Sequence, residues 1–156
     1  MTSFDEPALS TVQFQPLSWY RKVDDIFTTI AHHNDPDHLL QHLNAQYPRI
    51  QFTMETETDH QLPFLDVSLQ STDHGSKTSV YRKPTHIDQY THYNSCDHPQ
   101  IKQAIVTTLN RCAKSICHPD ALNHELQRLK DTFTSLNGYP PLPCLTPGYC
   151  HYPVQP

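Results

Sequence analysis

The sequence contains little glycine and no long apolar run, with 3 glycines among 156 residues and 36% hydrophobic residues. No stretch approaches the ~18 consecutive apolar residues of a membrane-spanning helix. The first residues, Met1 to Glu6, are acidic and lack the basic and then apolar order of a signal peptide. We therefore expect a protein inside the cell, nuclear or cytoplasmic, that is neither secreted nor inserted in a membrane.

Paired cysteine motifs are also missing, because the five cysteines are odd in number and form no C-x-x-C pair. This pattern fits neither a standard zinc finger nor a secreted disulfide framework. The best candidates for zinc ligands share no spacing with a known zinc site. They are Cys112, Cys117, His118, Cys144, Cys150 and His151. We expect free thiols and no zinc.

Positive charge is scarce in the first half of the chain. Through Gly75, eleven acidic residues face three basic ones, a net charge of −8. From Lys77 onward, eight basic residues face five acidic ones, a net charge of +3. The asymmetry favours metal ions as partners of the first half and phosphate groups as partners of the second.

The first half alternates between strand and helix patterns. Apolar and β-prone residues flank Asp24-Asp25 and predict a β-hairpin over Trp19 to Ile30, with both carboxylates exposed at its tip. Asn34-Asp35-Pro36 predicts the start of a short amphipathic helix that ends before Pro48. Residues 1–18 are polar with scattered prolines, and we expect a flexible leader or a truncated domain end there.

A second hairpin is predicted further along the chain. Ile50 to Glu55 alternates like a half-buried strand, Thr58 to Gln61 turns the chain, and Leu62 to Leu69 returns. Pro63 would then lie on an edge strand, because proline cannot donate to a sheet ladder. Thr78 to Lys83 predicts another short strand with a basic end.

Two helices are predicted in the second half, joined by a tight connection. The first begins at His98-Pro99, and the second begins at His118-Pro119 and stops at Asn137-Gly138. Such a pair is typical of a helix-turn-helix-like unit. The predicted apolar faces are Ile101, Ala104, Ile105, Thr108, Leu109, Cys112, Ala113 and Ile116 on the first helix, and Leu122, Leu126, Leu129, Phe133 and Leu136 on the second.

Several stretches of the sequence are similar to a known family. They are WYRKVDDIF with the helix after it, IQFTMETETDHQLPFLDVSL, TSVYRKPTHIDQYTHYNSCDHP, and the two helices that close at NGYP. Together, residues 4–140 resemble the reverse transcriptase of Penelope-like retroelements. The stretch KVDD looks like the family's Y-V-D-D box, LPFLDV like its primer-grip region, and VYRKPTH like the start of its thumb.

The resemblance implies an α+β fragment of an RNA-directed DNA polymerase. After the leader at 1–18, its parts would be a partial palm of two hairpins and a helix (19–70), a basic strand and connector (71–97), a two-helix, helix-turn-helix-like thumb (98–138) and a proline-rich, extended tail (139–156). In the intact enzyme, Asp24 and Asp25 would be catalytic ligands of two Mg²⁺ ions that clamp the primer 3′-hydroxyl and a deoxynucleoside triphosphate.

The resemblance also implies contacts with a template–primer of RNA and DNA. Primer-positioning residues would be Leu62, Pro63, Phe64, Leu65, Asp66 and Val67. From the residues themselves, the basic segment with Arg82, Lys83, His86 and Tyr90 predicts phosphate binding and aromatic stacking, and the alternative is a solvated strand end. Further predicted contacts to nucleic acid are Lys22, Lys102 and Arg111.

Two departures from the family pattern limit the expected activity. Lys22 stands where the family usually has an aromatic residue next to the primer end. Another catalytic aspartate and the nucleotide-binding fingers are expected upstream, and a GIY-YIG nuclease is expected downstream, yet none has a counterpart in this sequence. We therefore expect this polypeptide alone to be inactive as a polymerase.

The alternative interpretation is a non-enzymatic, helix-turn-helix-like module that binds nucleic acid. Its positive face would consist of Lys102, Arg111, Lys114, Arg128 and Lys130. Sequence-specific reading is disfavoured against an ordinary thumb bundle, because the second helix also carries Glu125 and Asp131. A decayed element fragment without a cellular role is a third possibility.

Overall fold

The computed structural model describes residues 5–46, 49–73 and 75–142. The chain divides into two compact units, at residues 1–57 and 58–156. Both units combine helices with a small antiparallel sheet, so the predicted α+β class is confirmed. The division falls inside the segment 19–70 that the sequence predicts to be one partial palm.

The first unit begins with helix α1, Asp5–Thr11, in the segment where a flexible leader is expected from the sequence. Ala8 is buried there, and it packs with two leucines of helix α2, Leu39 and Leu43. Sequence periodicity provided little sign of α1, because the helix is only 7 residues long and offers one buried apolar side chain.

The predicted hairpin around the paired aspartates is confirmed. Strand β1, Ser18–Lys22, pairs with strand β2, Asp25–Thr29, and Lys22 lies opposite Asp25. The two-residue turn consists of Val23 and Asp24, one residue earlier than the predicted Asp24-Asp25, so Asp25 is the first residue of β2. Val23 has φ of 56°, which is unusual for a β-branched residue, so this turn is strained.

The predicted helix after the hairpin is also confirmed, as α2, Pro36–Gln46. Asp35 accepts a hydrogen bond from the Asp37 backbone N–H at 3.0 Å, which caps the helix start. The predicted stop at Pro48 lies outside the described residues.

The predicted strand Ile50 to Glu55 is wrong, because this segment joins no sheet. The Phe52 backbone instead bonds the Asn44 side chain of α2, donating to Oδ1 at 2.6 Å and accepting from Nδ2 at 3.1 Å. The side-chain amide of Asn44 thus makes the hydrogen bonds that a neighbouring strand would have made. The Phe52 ring packs on the core of the first unit.

The second unit begins with a three-stranded sheet in the order β3-β4-β5. Its strands are β3, Gln61–Phe64, β4, Val67–Thr72, and β5, Gly75–Val80. The predicted single strand Leu62 to Leu69 is therefore wrong, since it turns at Leu65-Asp66, where Leu65 has φ of 54°. The turn at Thr58 to Gln61 and the edge position of Pro63 are confirmed.

Both predicted helices of the second unit are confirmed, as α3, Pro99–Ile116, and α4, Pro119–Asp131. Each has a histidine before its first proline, and the ring nitrogens of His98 and His118 accept hydrogen bonds from the second helical N–H. A π-helical turn, Thr132–Leu136, extends α4. Only Cys117 and His118 separate the two helices.

The core of the second unit lies between α3, α4 and the segment after α4. Its members are Val106, Ala113, Leu126, Leu129, Phe133, Tyr139 and Leu142. The predicted apolar face of α3 is partly wrong, because Ile101, Ala104, Thr108 and Cys112 are exposed. The buried face is rotated to Val106, Asn110 and Ala113, since this side faces α4 and β5.

The predicted stop at Asn137-Gly138 is confirmed, and both residues fix the loop before α3. Gly138 has φ of 68°, and a Cβ there would lie 2.7 Å from His92 Nε2. The Asn137 side chain, almost fully buried, accepts from the Tyr90 N–H at 2.8 Å and donates to the Asp88 carbonyl at 3.2 Å. The loop is therefore held against the end of α4.

Candidate nucleic-acid interface

The residues predicted to bind metal lie at the tip of the β1–β2 hairpin. Asp24 and Asp25 are both exposed, and exposed Lys22 lies across the strands from Asp25. Among residues 5–46, 49–73 and 75–142, no group of three His, Cys, Asp or Glu side chains is close enough to hold a metal ion. The catalytic and Mg²⁺ assignments stay predictions.

The residues predicted to position a primer lie in the other unit. Leu62 to Val67 forms the end of β3, the turn at Leu65-Asp66 and the first residue of β4. The Asp66 carbonyl accepts a hydrogen bond from the Tyr81 N–H at 2.8 Å, which ties this turn to the chain after β5. The structure therefore assigns the predicted metal ligands and primer grip to separate units.

Arg82, predicted to contact nucleic acid, forms a buried ion pair with Glu125 of α4. Its Nη1 donates to Glu125 Oε2 at 3.0 Å, and its Nη2 bonds Oε1. The two side chains are only 12% and 9% exposed. Hydrogen bonding by Glu125 raises the pKa of Arg82 above its usual value, although burial opposes the shift. The neighbouring Lys83 is exposed.

His86 and Tyr90, also predicted to contact nucleic acid, belong to the loop before α3. His86 Nε2 lies 3.0 Å from Asp88 Oδ1. The Tyr90 ring stacks on Phe133, with ring centroids 5.3 Å apart, so one of its faces is used by the core.

The two basic residues predicted on α3 differ in their surroundings. Lys102 Nζ donates to the Tyr93 and Ser95 carbonyls, each at 2.7 Å. Arg111 is exposed and borders a shallow depression lined by Gln100, Gln103, Ala104, Thr107 and Thr108. Helix α3 contains three basic residues and no acidic residue. Its surface is therefore compatible with phosphate groups.

The outward face of α4 is more polar and less acidic than the sequence suggested. Glu125 points inward to Arg82, so it does not counter a bound polyanion. The exposed side chains on this face are Asn123, His124, Gln127, Arg128 and Asp131. Sequence reasoning missed this face, although Glu125 lies three residues after Leu122 and four before Leu129, at the spacing of the buried stripe.

Asp88 connects the loop before α3 to the outward face of α4. Arg128 Nη2 donates to Asp88 Oδ2 at 2.7 Å, and Arg82 Nε lies 3.6 Å from Asp88 Oδ1. Burial opposes ionisation of this carboxyl, but the hydrogen bond from Arg128 and the nearby charges outweigh it and lower the pKa of Asp88. The cluster therefore keeps Asp88 ionised near neutral pH.

Among the described residues, the cysteines and the histidine weighed for zinc belong to no group of three potential ligands. Cys112 is exposed on α3, whereas Cys117 is buried, and burial raises the pKa of the Cys117 thiol. His118 caps α4. Cys144, Cys150 and His151, like the rest of the predicted tail beyond Leu142, lie outside the described residues.

The helical part of the second unit is similar to a known family of helix-turn-helix domains. Residues 89–144 match the family described as the animal helix-turn-helix domain. This segment contains α3, the Cys117-His118 turn, α4 and the π-helical turn. The match supports nucleic-acid binding and gives no support for a Penelope-like reverse transcriptase. No curated protein and no solved structure matches the chain.

The connection between α3 and α4 is held by strand β5. The His118 N–H donates to the Thr78 carbonyl at 2.8 Å, and the Thr78 hydroxyl donates to the Ile116 carbonyl, so β5 supports the turn between α3 and α4.

Among the described residues, no helix combines the length and apolarity needed to cross a membrane.

Proposed function

We propose that the chain is a nucleic-acid-binding module that binds duplex DNA through α3 and α4. The observation that carries the proposal is the inward position of Glu125, which leaves Asn123, His124, Gln127, Arg128 and Asp131 on the exposed face of α4. Of these, Gln127 donates one amide hydrogen bond to Asp131 at 2.9 Å and keeps its amide oxygen and second N–H for other partners. Asn and Gln side chains pair with adenine edges, and Arg pairs with guanine, in the major groove. In helix-turn-helix proteins the second helix enters that groove.

The basic residues of α3 would supply the electrostatic part of binding. Arg111 is exposed, and no acidic residue of α3 opposes it. Lysine and arginine contacts to phosphate release counterions and make affinity fall with salt, independently of sequence. The proposal therefore assigns the electrostatic attraction to phosphates to α3 and the discrimination between base pairs to α4.

The full chain is expected to bind a labelled DNA duplex in fluorescence anisotropy, with affinity that falls as salt rises. Arg111→Ala should weaken binding to all duplexes and reduce the salt slope by about 1. The double variant Asn123→Ala plus Gln127→Ala should instead lower discrimination by about 1–3 kcal/mol for each base that the helix no longer reads.

Matched controls lie elsewhere on the chain. Arg49→Ala removes an exposed positive charge from the first unit, and Gln61→Ala plus Gln70→Ala removes exposed amides from the sheet. Neither should change duplex binding as the α3 and α4 variants do. Absence of duplex binding at low salt would overturn the proposal.

A fragment of a reverse transcriptase is the second candidate, favoured by one observation. The β1–β2 hairpin presents two adjacent, exposed carboxylates at its tip, the arrangement that the resemblance implies for Mg²⁺ ligands. In this proposal the partner is an RNA–DNA template–primer, and polymerisation would also require palm and fingers segments, which residues 1–156 do not contain.

Mg²⁺ titration followed by NMR is expected, under this second proposal, to shift the backbone amides around Asp24 and Asp25. Asp24→Asn plus Asp25→Asn should remove the shifts and any Mg²⁺-dependent binding of an RNA–DNA hybrid. Asp35→Asn plus Asp37→Asn is the matched control, since asparagine still caps α2. Equal shifts in both double variants would remove the support for a metal site at the hairpin.

A further inference from the structure

An arginine on the outward face of α4 is held by a carboxylate from another part of the chain. Arg128 Nη2 donates to Asp88 Oδ2 at 2.7 Å, although the two residues are 40 positions apart and the Arg128 side chain is 42% exposed. A charge-assisted hydrogen bond restricts a side chain that would otherwise sample many rotamers. A guanidinium has five N–H groups along several edges, so one bond leaves others available.

Asp88 is itself fixed from several sides. Its other carboxylate oxygen lies 3.0 Å from His86 Nε2 and 3.6 Å from Arg82 Nε. Its backbone adopts φ of 54°, a left-handed conformation that non-glycine residues keep mainly where their surroundings impose it. The Asn137 side chain donates to the Asp88 carbonyl at 3.2 Å and so provides such a restraint.

We propose that Asp88 is a positioning residue, which holds Arg128 so that its remaining N–H groups donate to O6 and N7 of a guanine in the major groove. The inference rests on the proposed duplex-binding function. Arg128 is the contacting residue, and Asp88 acts through it. Guanine presents two acceptors, O6 and N7, that match the fork of a guanidinium. A guanidinium already fixed in the matching orientation loses less side-chain freedom when both bonds form, whereas base edges that lack this pair of acceptors can use only part of the fork.

Removal of the Asp88 carboxylate is expected to have opposite effects on the overall affinity for DNA and on discrimination between sequences. The Asp88 carboxylate places a negative charge next to the proposed DNA surface, which weakens attraction to phosphates of any sequence. Removing this charge should keep or strengthen binding to duplexes that lack the preferred guanine, while Arg128 loses its fixed orientation and with it the guanine preference. A purely structural role for Asp88 would weaken both properties together.

The test begins with selection of a preferred sequence by the native chain from a pool of randomised DNA duplexes. Affinity is then measured for the selected duplex and for duplexes in which each G·C pair is replaced by A·T. Asp88→Asn should bind the replaced duplexes as tightly as the native chain or more tightly, with roughly tenfold less preference for the selected guanine. Arg128→Ala should lose the same guanine preference. The double variant Asp88→Asn plus Arg128→Ala should lose no more of this preference than Arg128→Ala alone.

Asp120→Asn is the matched control, because it removes an exposed carboxylate of α4 that pairs with Lys77 and does not contact Arg128. It should keep the guanine preference. Circular dichroism of each variant at the assay temperature verifies folding, and Asp88→Ser provides a second replacement if Asp88→Asn does not fold.

The outcomes separate this inference from the proposed function. If the native chain binds no duplex, both are overturned. If the native chain binds duplexes without any guanine preference, the inference is overturned while duplex binding stands. The inference also fails if Asp88→Asn keeps the preference, or if the double variant loses clearly more than Arg128→Ala.

Discussion

Replacement of Glu125 by alanine is expected to lower the free energy of unfolding of the second unit by about 1–3 kcal/mol. Arg82 would keep its charge in a site where its side chain is only 12% exposed, with its main hydrogen-bond partner removed. Asp88, 3.6 Å from Arg82 Nε, replaces only part of that interaction. The cost comes mainly from a buried charge without adequate compensation.

Urea denaturation with amide exchange in α4 measures this effect, and Trp19 fluorescence reports on the first unit, since Trp19 is the only tryptophan. Lys77→Ala is the matched control, because the Lys77–Asp120 pair is exposed at 45% and 65% and should contribute much less. The double variant Arg82→Met plus Glu125→Leu should recover most of the lost stability. Equal effects of Glu125→Ala and Lys77→Ala would contradict the buried role of the first pair.

Replacement of Phe133 by alanine is expected to cost about 3–5 kcal/mol of unfolding free energy. Phe133 is completely buried, and its ring contacts Tyr90 and Tyr139 with centroid distances of 5.3 and 5.0 Å. The substitution removes both ring contacts and leaves a cavity at the centre of the core. The loop before α3 should loosen as well, because Tyr90 packs directly on this ring.

Amide exchange provides the second measurement for this variant. The N–H groups of Tyr90 and Tyr93, which donate to Asn137, should exchange faster in Phe133→Ala than in the native chain. Leu136→Ala is the matched control on the same π-helical turn, since Leu136 is 62% exposed and its truncation should have little effect. A comparable loss of stability in Leu136→Ala would argue against a core centred on Phe133.

Elements with their own local signals could be predicted from the sequence. The caps and prolines of α2, α3 and α4 mark helix starts, and Asn137-Gly138 marks a stop, because these residues act on the nearest backbone groups. The β1–β2 hairpin was predictable for the same reason, since β-prone runs flank short turn residues. Pro63 had to lie on an edge, because proline has no N–H to donate.

Two strand predictions failed because the segment found a different partner from the one that its pattern indicated. Ile50 to Glu55 has a strand pattern, yet the Asn44 amide satisfies the Phe52 backbone and no strand pairs with it. Leu62 to Leu69 reads as one strand, but pairing of β3 with β4 requires a turn at Leu65-Asp66. Periodicity reports which residues can be buried and does not specify the partner that buries them.

In the candidate site, too, some features follow from local sequence signals and others depend on tertiary contacts. From its residues alone, the sequence determined the helix pair, its tight connection and the lack of acidic residues on α3. Only the tertiary structure decided that Glu125 faces Arg82, and that Asp88 reaches Arg128 on α4. These pairs join residues about 40 positions apart, so their formation depends on long-range packing that no local pattern encodes. The charge on the exposed face of α4 was therefore decided by the fold.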